Sequence, residues 1–298
     1  MARMRNISTR PRAISVKTAF LILLVSLLAG CGMARMAYIN GESLTYFWLD
    51  RYADFTDEQK LWARSGIDEI FVWHRSSELP AYIVFLQEAQ RDLQEPVTEA
   101  GLKENSEAIR KRVSLIIDQS LPLMADIALS LRPEQIAHIE KKFASNNNDY
   151  RKDNLRGDVE QRQRTRYKRA LKQLEYFFGH LNDSQENQLR ALSDARPLNN
   201  ELVLRARQRR QKELIGLLNR IRAERPSKEV TVQMLNDYVT RSLSYFGDVE
   251  QRAYYQAYEA ATIKQVAQLI NAMTARQKER ATQTLQRWID DFRRLSER

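Results

Sequence analysis

The 298-residue sequence predicts an all-α protein, a multi-helix bundle of long, partly kinked helices. Three observations carry this reading. Apolar residues recur at steps of three and four along nearly the whole chain, the period of one helix face. Turn-forming residues are scarce, with 9 Gly and 7 Pro, too few for the many turns of a sandwich or barrel. No stretch alternates apolar and polar residues with the period of two that a half-buried strand needs. At 43% hydrophobic and 29% charged, the composition is too apolar for disorder and too polar for a multi-span membrane protein.

The N-terminal element is a leader. Arg3, Arg5, Arg10, Arg12 and Lys17 precede an apolar run from Ala19 to Leu28, and no acid interrupts them. A basic segment, a short apolar segment and small residues before a cut form a secretory signal, and this run is short for a spanning helix. Leu28-Ala29-Gly30-Cys31 resembles the lipobox of bacterial lipoproteins. The resemblance implies that signal peptidase recognises Leu28, Ala29 and Gly30 and cuts before Cys31. It further implies acyl chains on the Cys31 sulfur and on its new amino group, the membrane partner expected of the protein. Gly32, where an inner-membrane protein would often carry Asp, implies the outer membrane, with the domain facing the periplasm. Residues 1–30 are then the cleaved signal, 31–42 a lipidated tether around Asn40-Gly41, and 43–298 a single α-helical domain.

Cys31 is the one cysteine, so no internal disulfide and no cysteine metal cluster is expected. The formal charge of +10 includes the five leader cations, so the mature chain is nearer +5. That modest excess and export across the inner membrane argue against a nucleic-acid partner.

The helices follow in order. From Thr98 a long helix carries Ile109, Val113, Ile116, Ile117, Met124, Ile127 and Leu131 on one stripe, with Pro122 expected to kink it. Tyr167, Leu171, Leu174, Phe178 and Leu181 form the next stripe. Val232, Leu235, Val239, Leu243 and Phe246 form another, and Tyr255, Tyr258, Thr262, Val266, Leu269 and Met273 repeat it. Leu285, Trp288, Ile289, Phe292 and Leu295 close the chain. Boundaries are expected at Pro80, Pro133, Pro197 and Pro226, because proline suits a first turn and blocks helix in the residue before it. Gly247-Asp248 is a further break.

One helix-start pattern occurs four times: Phe55-Thr56-Asp57-Glu58-Gln59, Leu131-Arg132-Pro133-Glu134-Gln135, Leu181-Asn182-Asp183-Ser184-Gln185 and Met273-Thr274-Ala275-Arg276-Gln277. An apolar residue precedes a cap, and Gln stands three residues after it, as in a capping box. Thr56, Asn182 and Thr274 are competent caps; Arg132 is not, so Pro133 must set that start. The pattern resembles the LTxxQ motif of the Spy/CpxP family of periplasmic helical proteins. That resemblance implies binding of unfolded or aggregating clients; plain helix-start grammar is the alternative.

Over most of its length the chain resembles the bacterial lipoproteins of domain of unknown function 6279. The lipobox leader carries this, with Tyr38-Ile39-Asn40, Tyr52 to Gln59, Trp73 to Tyr82, and Leu131 to Gln135. It implies an all-helical cell-envelope lipoprotein and assigns no activity or catalytic residue.

No recognised catalytic spacing occurs. His74, His138 and His180 form no pair at i+4, no metal or phosphate motif is present, and neither a cofactor nor a metal is expected. Trp73, His74, Arg75, Glu78 and Tyr82 form a candidate partner patch, in which His74 could bond Glu78 and Arg75 could pair with Asp68 or Glu78. The bland alternative is a helix hairpin begun by Pro80 whose polar groups satisfy one another. Arg162, Arg164 and Arg166, then Arg205, Arg207, Arg209 and Arg210, form two candidate anion-binding faces for lipid head groups or lipopolysaccharide. Solvated helix faces are the alternative. The expectation is a non-catalytic cell-envelope binding protein with a chaperone-like or envelope-stress role toward unfolded or envelope proteins. The alternative is an assembly factor that binds anionic lipids through its basic helices.

Overall fold

The computed structural model describes residues 31–297, with side chains from residue 35. Leu28, Ala29 and Gly30 lie outside the described residues, as does the side chain of Cys31. The chain is all-α, and no strand occurs among the described residues. The stretch read as a tether is itself helical, as α1 (Cys31–Ile39) and the start of α2 (Gly41–Ala53). Then follow α3 (Asp57–Trp73), α4 (Leu79–Asp92), α5 (Glu99–Ser130) and α6 (Pro133–Asn154). After these come α7 (Val159–Phe178), α8 (Asp183–Ala195), α9 (Asn200–Glu224), α10 (Lys228–Leu243), α11 (Val249–Asn271) and α12 (Ala275–Ser296). Polar caps start most of them. Thr98, Asp158, Asn199, Ser227 and Asp248 each accept a backbone N–H from the first turn of the helix that follows.

The helices enclose two apolar cores. The first gathers α2, α3, the C-terminal half of α5, α6, α9 and α10 around Ala63, Ile67, Ala125, Ile136, Ile221 and Leu235. The second gathers α4, α7, α8, α11 and α12 around Leu79, Leu181, Leu189, Leu269 and Ile289. Each fully buried Leu or Ile contributes about 1.5–3 kcal/mol. The chain visits the cores alternately, so long helices tie them together. Gly66 permits one such close approach: a Cβ there would lie 2.6 Å from Leu123 Cδ1 of α5. Pro122 lies inside α5 without ending it. Ile109, Met124 and Leu243, read as core positions, are exposed, because only part of each stripe meets a neighbour.

Pro80 does not begin the second arm of a hairpin. The helix runs on from α3 to α4 through a single π turn, His74–Glu78, and Leu79 N–H bonds to His74 O. The wider turn accommodates a proline that has no N–H for the regular ladder and whose ring would clash with the carbonyl four residues back. The consequence is topological, since α3 serves the first core and α4 the second. The break at Gly247-Asp248 is present as a short 3₁₀ turn, Tyr245–Gly247. Tyr245 and Phe246 adopt positive φ there, an uncommon conformation for aromatic residues. Stacking of Tyr245 on Tyr255 at 4.8 Å accompanies it.

The four helix-start motifs assemble as two reciprocal pairs. Each glutamine closes its own first turn: Oε1 accepts the N–H of Thr56, Arg132, Asn182 or Thr274. The side chains of Thr56, Asn182 and Thr274 accept the glutamine N–H in return. Arg132 has no acceptor to offer, and Pro133 occupies the first helical position there. Each glutamine amide then crosses to another motif. Gln59 Nε2 donates to Ser130 O at 3.0 Å, and Gln135 Nε2 donates to Asp54 O at 3.0 Å. Gln185 Nε2 donates to Ala272 O at 2.9 Å, and Gln277 Nε2 to His180 O at 3.0 Å. In every case the acceptor lies two residues before the partner's cap. The amides also meet each other, Gln135 to Gln59 at 2.8 Å and Gln185 to Gln277 at 2.9 Å. Phe55, Leu131, Leu181 and Met273, the apolar leads of the motifs, are all buried beside them.

Replacing Gln185 by Leu strands Ala272 O and the Gln277 amide in the interior. It should lower stability in urea unfolding by about 2–3 kcal/mol. The Gln185→Leu/Gln277→Leu double variant should lose less than the two single losses combined, because both remove the same bond. Additive losses would show that the two amides do not couple.

Candidate functional site

A cavity of about 1240 Å³ opens beside the second core, facing the C-terminal end of α6 and the start of α9. It runs along α7 from Gln161 to Phe178 and along α11 from Tyr254 to Ile270. Seventeen helical steps make the α7 wall about 25 Å long. Its lining changes character from one end to the other. The first half of α7 contributes Arg162, Arg166 and Arg169, and the second half Ala170, Leu174, Phe177 and Phe178. Helix α11 repeats the gradient, with Tyr254, Tyr255, Tyr258 and Thr262 passing to Val266, Leu269 and Ile270. The stripe Tyr255–Met273, read as an amphipathic face, therefore borders the cavity from Tyr255 to Leu269.

Arg166 and Arg196 form the basic end. Arg166 Nη1 donates to Pro197 O at 3.0 Å and Nη2 to Arg196 O at 3.2 Å. Arg196 lies over the Tyr258 ring at 5.3 Å and reaches Thr262 Oγ1 at 3.5 Å. Neither makes an ion pair among the described residues. Burial, and then the charge of Arg196, push the Arg166 pKa down, so its cation is less favoured than in water. Arg162 differs: it pairs with Glu201 at 2.8 Å and donates to Leu155 O at 2.6 Å. The Nε atoms of Arg162, Arg166 and Arg196 are buried without a partner. Tyr150 closes the same end, its hydroxyl pKa pushed up to about 12 by burial. Gln265 lies midway along the cavity wall, 5% exposed, and its Oε1 has no partner. The acids bordering the opening, Asp92, Glu95, Glu104 and Asp153, are exposed.

The two arginine stretches do not form faces. Arg164 pairs with Glu160, Arg205 with Glu250, and Arg209 with Asp248, each along the surface. Arg207 is buried, donates Nε to Asn147 Oδ1 at 2.9 Å and lies over Tyr150. Arg210 is half-buried beside Tyr255, and Tyr238 donates to its backbone carbonyl. Of the seven, only Arg162 and Arg166 reach the cavity. Arg196 and the α11 tyrosines were missed because they are scattered in sequence and read as ordinary core and loop.

The patch around His74 is a sealed junction. His74 Nδ1 meets the Tyr38 hydroxyl at 2.8 Å and Nε2 meets Tyr82 at 3.4 Å, with Trp73 edge-on to the ring. His74 does not bond Glu78. Glu78 is buried and pairs with Arg112 at 3.3 Å, while Arg75 pairs with Glu42 at 2.6 Å rather than with Asp68 or Glu78. The π turn rotates these side chains off the regular i, i+4 register toward α2 and α5. No group of three or more His, Cys, Asp and Glu able to hold a metal occurs among the described residues.

These features define a two-core helical protein with an open, basic and tyrosine-lined cavity. The chain belongs to the family of unknown function DUF6279, whose family model matches residues 51–237. No curated protein and no solved structure matches it.

His74 gives the junction a pH signature. Burial, with a smaller contribution from Arg75, lowers its pKa from the ordinary 6.5 to about 4. The unfolded chain therefore takes up this proton first. The contribution is complete above pH 6.5 and is lost as pH falls toward 4, with a slope of at most about 1.4 kcal/mol per unit. Urea midpoints between pH 7 and pH 4 should fall more steeply for the wild type than for His74→Gln. Parallel curves would show that His74 does not titrate against folding.

Proposed function

We propose that this protein is a lipid-anchored, non-catalytic binding protein of the bacterial cell envelope, and that it holds its ligand in the cavity beside the second core. The observation that carries the reading is the cavity itself. It is larger than the roughly 300–1,000 Å³ of common small-molecule sites, and its walls are made of packed helices. Its polar groups include arginines, tyrosines and amides, which bind and orient, while its four acids are exposed.

The anchor rests on the lipobox resemblance ending at Cys31, and the surface just downstream supports it. Met36, Leu44, Phe47 and Trp48 are exposed along α1 and α2, a stripe suited to the interface of a membrane that carries the acyl chains. A chaperone-like role draws less support, because the four glutamines are already engaged inside the fold and present no free group to a client.

Full-length protein extracted from envelope membranes should show acylated Cys31 in its intact mass. Small molecules should be released from it on denaturation. The same preparation of Val266→Trp, which fills the cavity from an exposed wall position, should be empty. An unmodified Cys31 would overturn the anchor, and identical empty preparations would overturn the binding role.

A further inference from the structure

The cavity has one polarity, and that polarity specifies a class of ligand. We infer that it accommodates a single anionic amphiphile, with a phosphate or carboxylate head between Arg166 and Arg196 and an apolar chain along Leu174, Phe177 and Ile270. This deepens the proposed binding role and rests on it.

Five observations on the walls converge. Arg166 donates to the Arg196 carbonyl at 3.2 Å, the two cations act on each other, and neither forms an ion pair among the described residues, an arrangement that a bound anion relieves. Their Nε atoms are buried and unpartnered. The flanking surface is aromatic, Tyr254 and Tyr258, with hydroxyls able to donate to anionic oxygens. Beyond Thr262 and Ala170 both walls become apolar in the same direction, so head and tail have distinct places. At the junction, Gln265 Oε1 is buried with no donor, a place for a ligand hydroxyl such as that of a glycerol backbone. One acyl chain is about 15 Å long, half the bilayer core. It fits a wall of about 25 Å with room for a head group. A purely polar anion would leave the apolar half unused, and a neutral lipid would leave both arginines uncompensated.

The test uses the full chain in phospholipid nanodiscs and a decyl phosphate bearing a photoreactive diazirine. Labelled peptides should map to α7 and α11. Unlabelled decyl phosphate or decanoate should compete, and decanol and inorganic phosphate should not. Arg166→Gln and Arg196→Gln should each weaken labelling roughly tenfold, the loss of one charge-assisted hydrogen bond. Arg164→Gln, on the outer surface, should leave it unchanged. Because Arg166 also holds two loop carbonyls, circular dichroism checks folding. Val266→Trp, which touches no hydrogen bond, should abolish labelling independently. Competition by decanol equal to that of decyl phosphate would overturn the anionic head while leaving cavity binding intact. Competition by inorganic phosphate alone would overturn the apolar tail, and labelling spread over the surface would overturn the site.

Discussion

Two reciprocal pairs of glutamine amides, with Gln59, Gln135 and Gln185 buried, hold this fold in register. Each amide fulfils three requirements at once. It closes its own helix start, satisfies a carbonyl that a helix end has left open, and meets the opposite glutamine. A helix ends with carbonyls lacking intrahelical partners, and burying them unpaired is costly. The reciprocal arrangement makes two helix ends and two helix starts mutually dependent. It fixes where α2 and α5 stop and where α3 and α6 begin, and does the same for α7, α8, α11 and α12. The apolar residue before each cap is driven into the core at the same point, so polar and apolar terms specify one geometry.

The chain alternates between the two cores that these starts and stops define. Helices α5 and α6 reach from the first core toward the second, and the π turn carries α3 into α4 across the same divide. Beside the second core, α7 and α11 present a graded wall to the cavity. At the basic end Arg166 and Arg196 are tied to loop carbonyls and an aromatic ring, and neither forms an ion pair among the described residues. The junction around His74 is the reverse case. Tyr38, Tyr82, Glu42 and Arg112 engage its polar groups locally, so it stabilises the connection between the cores.

Much was legible in the residues alone. Helical period gave the fold class. The motif spacing placed the starts at Thr56, Pro133, Asn182 and Thr274, because capping is local chemistry within one turn. The membership in the DUF6279 family was readable from short stretches spread along the chain. The anion-binding faces were not, because consecutive arginines on a helix diverge in direction and find separate partners.

Sequence by itself determined that the chain is helical, where most helices begin, and that glutamines would sit at the starts. Those outcomes depend on neighbours three and four residues apart. Only the tertiary structure decided which glutamine faces which, that Pro80 lies within a continuing helix, and that Arg166 meets Arg196 and Tyr258. Such pairings join residues from separate helices, and their energies arise only when two cores are packed side by side.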